Sequence, residues 1–437
     1  MGQCIGIRRE DKNRWERRAP LVPADLKKLV QENGIRFRVQ PSPIRALSDE
    51  EFADAGAEVA EDLSSCPVVI AVKEIPTRLL LEQRTYIFFS HTIKGQDYNM
   101  AMLRRLMELK CNLIDYERII DDNGRRLIFF GRFAGVAGMI ETLAAFGRRL
   151  RWEGTPNVFE AVEQPYRYGT LEEAKQAVTQ VGEAIRRGGL PPAVTPMVCG
   201  FTGYGNVSQG AQEICDLLPV RAITPAQLLA GEWEGMGDSR TLWKVEFHEQ
   251  DMARPVDRTA EFILQEYYDH PDRYVSAFGQ YLPLMTLMVN CIYWTEDYPR
   301  LATRQQLLDL FGSGRAPKLR VIGDISCDID GAIECTVKPT EPGNPVYVYD
   351  PVTGKATDGV EGSGPVVMPV DNLPCELPLN SSEEFSTALS PFIPGIAAAD
   401  FSGPLEACDL PAPVKRALLL YQGELTPDYE YMKDYLK

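Results

Sequence analysis

The sequence predicts an α/β protein made of two domains on mainly parallel sheets, the second carrying a candidate nucleotide turn. Three observations carry this. A chain of 437 residues exceeds one ordinary core and suits two domains of about 150 to 250 residues each. Through the first 130 residues, short apolar runs alternate with helical patterns, as strands of a covered parallel sheet do. Finally, FTGYGNVSQG lies between an apolar strand and a helical pattern, where nucleotide-binding turns occur.

In chain order, CIGIRRE reads as a strand, PADLKKLVQENG as a helix, FRVQPS as a strand and DEEFADAGAEV as a helical stretch. PVVIAVKEI and TYIFFSHTI follow as strands, and YNMAMLRRLMELK as a helix. From Ala134, AGVAGMIETLAAFGRRLRW sets apolar residues at helical spacing with small residues at its start, which predicts a long, closely packed helix at the domain boundary. After a second helical pattern, LEEAKQAVTQVGEAIRR, the run PAVTPMVCGFTGYGNVSQGAQEICDLLP gives strand, glycine turn and helix in succession. LMVNCIYW and LRVIGDI read as further strands, 338–380 is rich in Pro, Gly and Asp, and two short helical patterns close the chain. The expected domains are 1–135 and 136–374, with 375–437 a candidate to pack back on the first. Periodicity alone does not place the last hundred residues.

With 44% apolar and 25% charged residues the chain has the composition of a soluble globular protein. A net charge of -16 without a Lys/Arg block argues against nucleic acid as a partner. Neither a signal peptide nor a run of roughly 18 apolar residues is present, so the expectation is a cytoplasmic protein without a membrane partner. In MGQCIGI, Gly2 and Cys4 invite comparison with acylated tails, but Gly6 stands where that pattern needs Ser or Thr. Ten cysteines without a CxxC pair read as free buried thiols rather than bridges or metal ligands, and no metal is expected.

Gly203, Gly205 and Gly210 form GxGxxxxG, a variant of the dinucleotide fingerprint in which absent Cβ atoms let the backbone and a helix N-terminus approach a pyrophosphate. Tyr204, Asn206 and Val207 belong to the same turn; the plainer alternative is a structural glycine turn. The fingerprint's ribose-binding acid is missing from the next strand, VRAITPAQ, where Arg221 instead suits a 2′-phosphate, so NADP(H) is expected over NAD(H). Lys73 and His91 end apolar strands, at the carboxyl edge of a parallel sheet where ligands bind. Each has a plain alternative, a lysine reaching out to water and a histidine satisfied by backbone; together they are two groups suited to proton transfer. Arg18 and Arg126 are candidate carboxylate clamps, or solvated surface arginines. Asp324 and Asp328, in GDISCDIDG, either orient a cofactor or cap a turn.

The ordered series RREDKNRWERRAPLVP, AVKEIP, FFSHTIKGQ, LIDYE, FFGRFAGVAGM, FTGYGNVSQGAQ, NCIYW, GDISCDIDG, VEGSG and VDNLPCELP closely resembles the lysine–2-oxoglutarate reductase (saccharopine dehydrogenase, lysine-forming) family. More distantly it is similar to alanine dehydrogenase and the transhydrogenase cofactor subunit. The resemblance implies two Rossmann-type domains with an active-site cleft between them, 1–135 binding substrate and 136–374 the nicotinamide cofactor. The resemblance implies an oxidoreductase that condenses L-lysine with 2-oxoglutarate and reduces the imine to saccharopine with NADPH, in lysine degradation. It implies Lys73 and His91 as the acid–base pair and Glu117 as an acid tuning Lys73. Arg18 and Arg126 would bind carboxylates, with Lys94 lining the site. Asp324, Asn372 and Leu373 would lie at the cofactor end. With the sequence running to Lys437, the expectation is a chain without the second dehydrogenase domain of bifunctional members, performing one step. Oligomeric state is not read from the sequence. The rivals are another amino-acid dehydrogenase of alanine or opine type, and an inactive nucleotide-binding sensor.

Overall fold

The computed structural model describes residues 4–231, 233, 235, 238–312 and 317–436; Gly2, weighed above as an acylation site, lies outside the described residues. The chain divides into two compact units, Met1–Phe130 with Pro378–Lys437, and Gly131–Leu377.

In the first unit, β1 (Cys4–Ile7), β2 (Arg36–Val39), β3 (Glu58–Val59), β4 (Val68–Ile70), β5 (Thr85–Phe88) and β6 (Asn112–Asp115) lie parallel in the spatial order 6-5-4-1-2-3. β4, β5 and β6 are buried along their whole length, as strands covered on both faces must be. Helices α1 (Pro23–Asn33), α2 (Asp49–Asp54) and α3 (Asp97–Glu108) connect them. α1 starts with proline at its first position and stops at Gly34, whose φ of 64° is a left-handed cap; α2 starts with a capping box between Ser48 and Glu51.

The second unit opens with α4 (Gly131–Trp152), a helix buried on nearly every face, then α5 (Leu171–Gly188), capped by Thr170 and amphipathic. Its sheet comprises β7 (Met197–Thr202), β8 (Val220–Ala222), β9 (Leu242–Phe247), β12 (Leu287–Asn290), β13 (Val321–Asp324) and β16 (Val366–Met368), parallel in the order 8-9-7-12-13-16. An antiparallel hairpin, β14 (Tyr347–Asp350) with β15 (Lys355–Asp358), extends the β16 edge. Another short antiparallel pair, β10 (Ala253–Pro255) with β11 (Tyr274–Ser276), stands apart. α6 (Asn206–Cys215) follows β7 and packs on α4 at backbone distance: a Cβ on Gly135 would lie 1.9 Å from the Val207 carbonyl, and one on Gly210 2.1 Å from the Arg132 carbonyl. Gly135 and Gly210 thus serve this contact, while Gly138 of α4 makes room for Ile325 and Leu373, which together explain the small residues at the start of α4.

The chain then returns to the first unit, where β17 (Leu418–Tyr421) pairs antiparallel with β6, and β18 (Glu424–Leu425) with β17. Helix Pro378–Leu389 puts Phe385 and Leu389 into the first unit's core.

Candidate active site

Strand register brings three tips of the first sheet side by side. Ile70 of β4 pairs with Ile87 of β5, and Phe88 of β5 with Asp115 of β6, so Lys73, His91 and Glu117 all emerge just past the carboxyl ends of adjacent strands. His91 has φ 51°, left-handed backbone that a histidine occupies only when its surroundings hold it there. They do: its carbonyl accepts from the Asn99 side chain at 3.3 Å, and its ring stacks beside Phe89. Below it, fully buried Asp115 accepts from the Ser90 amide (3.2 Å), from the Ser90 hydroxyl, and from the Glu117 amide (2.8 Å). One carboxyl therefore braces the strand ends that carry both His91 and Glu117. Glu117 in turn sets a carboxylate oxygen 3.9 Å from His91 Nδ1 and 3.6 Å from the Arg126 guanidinium. Arg126 remains half exposed and Lys94, three residues past His91, is exposed.

Lys73 is held through its backbone. Glu10 accepts from the amides of Val72 (2.7 Å) and Lys73 (3.0 Å), fixing the turn after β4. Burial pushes the Lys73 ammonium below its ordinary value and nearby Arg18 adds to the fall; burial lowers the His91 imidazolium too, with Lys73 the next cause and Glu117 opposing it. Both groups thus reach their neutral forms more readily than in water, which is what proton transfer near neutral pH demands. The carboxyls beneath them shift upward: Glu10 to about 7 by burial and the charge of Glu16, Asp115 to about 7 by burial and the charge of Glu117.

Arg18 is buried, and its Nε and Nη2 bind both oxygens of Glu16 at 2.7 and 2.5 Å, with the guanidinium 4.1 Å over the Phe130 ring. One edge of the fork read as a carboxylate clamp therefore serves a carboxylate of the protein itself. The returning C-terminal segment secures this loop, Ser382 accepting from the Ala19 amide and Ser386 from the Val22 amide, each at 3.0 Å. Phe385 stacks on Phe130 at 4.5 Å and meets Tyr116 edge-on at 5.0 Å, giving the site an aromatic floor.

In the second unit, Gly203 has φ 80° and its amide bonds the Phe247 carbonyl, while nothing lies within 4 Å of a Cβ built on Gly205. That open backbone leads into the ten-residue helix α6 through Asn206 and Val207, so the turn can receive a pyrophosphate against amide groups. Gly210, by contrast, faces α4 and serves helix packing. Past the strand ends, Thr202 donates to Asn290 (2.8 Å), Asn290 to Asp324 (2.8 Å), and Thr336 to Asp324 (2.5 Å), a buried chain across β7, β12 and β13. Asp324, with its carboxyl raised to about 6 by burial, is an internal member of this chain. Asn372 and Leu373 lie in the loop after β16, with Leu373 buried against Gly138 of α4. Among the described residues no group of three or more His, Cys, Asp or Glu side chains is arranged to hold a metal.

One step of the sequence reading fails. The strand beside β7 is β9, not β8, because the chain first runs to the sheet edge and then fills the gap. The strand whose end the fingerprint would use is therefore LWKVEF, where Glu246, His248 and Glu249 stand, rather than VRAITPAQ. Arg221 pairs in register with Trp243, and so points to the face opposite Lys244 and Glu246. Those two residues, with Gln212, Thr224, Gln227 and His248, line a cavity of about 610 Å³ beside α6. Glu246 accepts from Gln212 at 2.6 Å and bonds His248 at 3.0 Å, one partner on each oxygen, and the His248 ring stacks on Tyr204 at 4.3 Å. Sequence reasoning also missed Glu10, Glu16 and Asp115. Their signal was only an acid next to a strand end or arginine, which does not disclose that it braces a neighbour distant in sequence.

Comparison with known proteins agrees with this architecture. Residues 6–137 match the family described as alanine dehydrogenase/PNT, N-terminal domain. Alpha-aminoadipic semialdehyde synthase of Arabidopsis thaliana is 37% identical over 445 residues, 98% of this chain and 41% of the relative; the mitochondrial protein of Bos taurus is 37% identical over 443 residues, 98% and 47%. The chain thus spans about half the length of these relatives. A saccharopine dehydrogenase [NAD(+), L-lysine-forming] of Yarrowia lipolytica is 28% identical over 386 residues, covering 86% of this chain and 88% of the relative. Among solved structures, an L-alanine dehydrogenase aligns over 100% of both chains with TM-score 0.63 at 17% identity, and the transhydrogenase from Sinorhizobium meliloti over 98% and 100% with TM-score 0.52 at 14% identity. The chain is therefore a homologue of alpha-aminoadipic semialdehyde synthase and of lysine-forming saccharopine dehydrogenase, on the fold of alanine dehydrogenase and transhydrogenase.

Proposed function

We propose that the chain is a lysine–2-oxoglutarate reductase: L-lysine, 2-oxoglutarate, NADPH and a proton give saccharopine, NADP⁺ and water, reversibly. The observation that carries this reading is the cluster of Lys73, His91 and Glu117 at three adjacent strand tips, with Arg126 against Glu117, in a chain similar to lysine-forming saccharopine dehydrogenases. The ε-amine of lysine must be neutral to attack the keto carbon, and the carbinolamine oxygen must gain a proton before it leaves as water. Lys73 and His91, both depressed by burial, take and give these protons as a coupled pair, with Glu117 holding the His91 ring and Arg126. Arg126, half exposed, and Lys94 receive substrate carboxylates; Arg18 contributes its positive charge from behind Glu16 and keeps Lys73 low. The dinucleotide supplies the hydride that reduces the imine, and the turn Gly203 to Val207 holds its pyrophosphate.

For the cofactor we infer NADP(H). At the end of β9 the two oxygens of Glu246 already take one bond each, from Gln212 and His248, and Lys244, paired with Asp216 at 2.5 Å, brings a positive charge to the same cavity. NAD(H) is the second reading, favoured by the name of the Yarrowia lipolytica relative. The test is steady-state oxidation of NADPH or NADH with lysine and 2-oxoglutarate, with ornithine, alanine and ammonia as competing amines. Lysine with NADPH should be fastest, and Lys73→Met and His91→Gln should each lose at least a hundredfold in kcat. Wild-type turnover by either variant removes the proton roles, turnover with ammonia but not lysine removes the substrate, and tighter binding of NADH removes the cofactor assignment.

A further inference from the structure

At the opposite end of the first unit's sheet from Lys73, two cysteines face each other. Cys4 opens β1; Cys66 precedes β4, the strand paired with β1 through Ile5 and Val68. Their sulfurs are 3.0 Å apart although 62 residues separate them in the chain. A disulfide needs about 2.05 Å, so the two sulfurs stand about 1 Å beyond bonding distance. Cys66 is fully buried, while Cys4 is partly exposed on a cavity of about 430 Å³ lined by Arg36, Arg38, Glu58 and Ser65. Arg38 is fixed there by both oxygens of Glu58 and by Ser65.

The pair is chemically asymmetric. A hydrogen bond from the Cys66 thiol draws Cys4 down to about 7, with Arg36 and Arg38 adding to the fall, whereas Cys66 is pushed up. The accessible sulfur therefore ionises first and the buried one keeps its proton, the division of labour between an attacking and a resolving cysteine.

We propose that Cys4 and Cys66 are a peroxide-sensitive thiol pair, a modification site that closes a reversible disulfide across β1 and the entry to β4. The Cys4 thiolate attacks one oxygen of hydrogen peroxide; the S–O bond forms, the O–O bond breaks, and the departing hydroxide takes a proton and leaves as water. Cys66 sulfur then attacks the sulfenic acid; the S–S bond forms, the S–O bond breaks, and the hydroxide leaves as water with the Cys66 proton. Two thiols lose two electrons in all and one peroxide becomes two waters. The buried partner resolves the sulfenic acid from inside the fold, so Cys4 does not linger in that state.

The test uses the full chain treated with dilute hydrogen peroxide and mapped by mass spectrometry without reduction. The expected product is a peptide pair joined through Cys4 and Cys66, reversed by dithiothreitol. Cys66→Ser should arrest Cys4 as a sulfenic acid captured by dimedone, and Cys4→Ser should leave Cys66 unlabelled. Iodoacetamide at neutral pH should alkylate Cys4 about tenfold faster than an ordinary exposed thiol. Recovery of both thiols free after peroxide, Cys4 joined to a different cysteine, or no dimedone adduct on Cys66→Ser overturns the proposal.

Discussion

Asp115→Asn tests how the first unit holds its proton-transfer groups. The Asp115 carboxyl is fully buried and raised from 3.8 to about 7, burial being the main cause and Glu117 the next. Because the folded form binds its proton more tightly than the unfolded form, stability is highest below pH 4 at this site and falls as pH rises to about 7. A rise of about three pH units corresponds to about 4 kcal/mol lost across that window. Asparagine mimics the neutral acid in shape. It keeps an acceptor for the Glu117 amide and donates to the Ser90 hydroxyl, but it no longer accepts from the Ser90 amide, at a cost of about 1 to 2 kcal/mol. The variant should thus be the less stable protein near pH 4, draw level near pH 5, where wild type has lost about 1.6 kcal/mol, and exceed wild type at pH 8. Urea unfolding at each pH, followed by pulsed hydrogen exchange in peptides covering β5 and β6, measures this directly. A penalty of the same size and sign at pH 4 and pH 8 refutes the assignment of a protonated brace.

Glu16→Gln leaves Arg18 buried without its bidentate partner and should cost about 3 to 5 kcal/mol by urea unfolding, while the removal of a negative charge near Lys73 lowers the Lys73 ammonium further and moves the basic limb of the pH–rate profile. Phe385→Ala empties a fully buried place against Phe130 and Tyr116; a loss of about 3 to 5 kcal/mol is expected, read by the same denaturation. Gly210→Ala would set a methyl 2.1 Å from the Arg132 carbonyl, so α6 must move away from α4, and the affinity for NADPH measured by fluorescence titration should fall together with thermal stability. Arg126→Met should raise the KM for 2-oxoglutarate about tenfold or more with a smaller change in kcat, since this half-exposed arginine meets Glu117 at 3.6 Å and can turn to a substrate carboxylate.

Alternating apolar runs and helical patterns sufficed for the parallel strands, because a strand buried on both faces writes its burial as a continuous apolar run. The glycine turn was legible for a similar local reason: positive φ at Gly203 and open space over Gly205 are properties of single residues without side chains. Lys73, His91 and Glu117 were legible as strand-end residues. The bracing carboxyls were not, since Glu10 serves a turn 62 residues away and Asp115 holds a serine 25 residues back. The error over the ribose position has the same origin: strand order in space departs from strand order in sequence, and no local pattern encodes that β9 slips between β8 and β7.

By itself, then, the sequence determined the α/β class, the order of strands and helices along the chain, and the residue types offered at each strand tip, because these follow from local periodicity and backbone freedom. Only the tertiary structure decided which tips are neighbours, that Glu16 engages Arg18, and that β17 and Phe385 return to complete the first unit. The physical reason is that desolvation and charge coupling depend on distance in space, and contacts such as Ala19 with Ser382, 363 residues apart, come into being only when the chain has closed on itself.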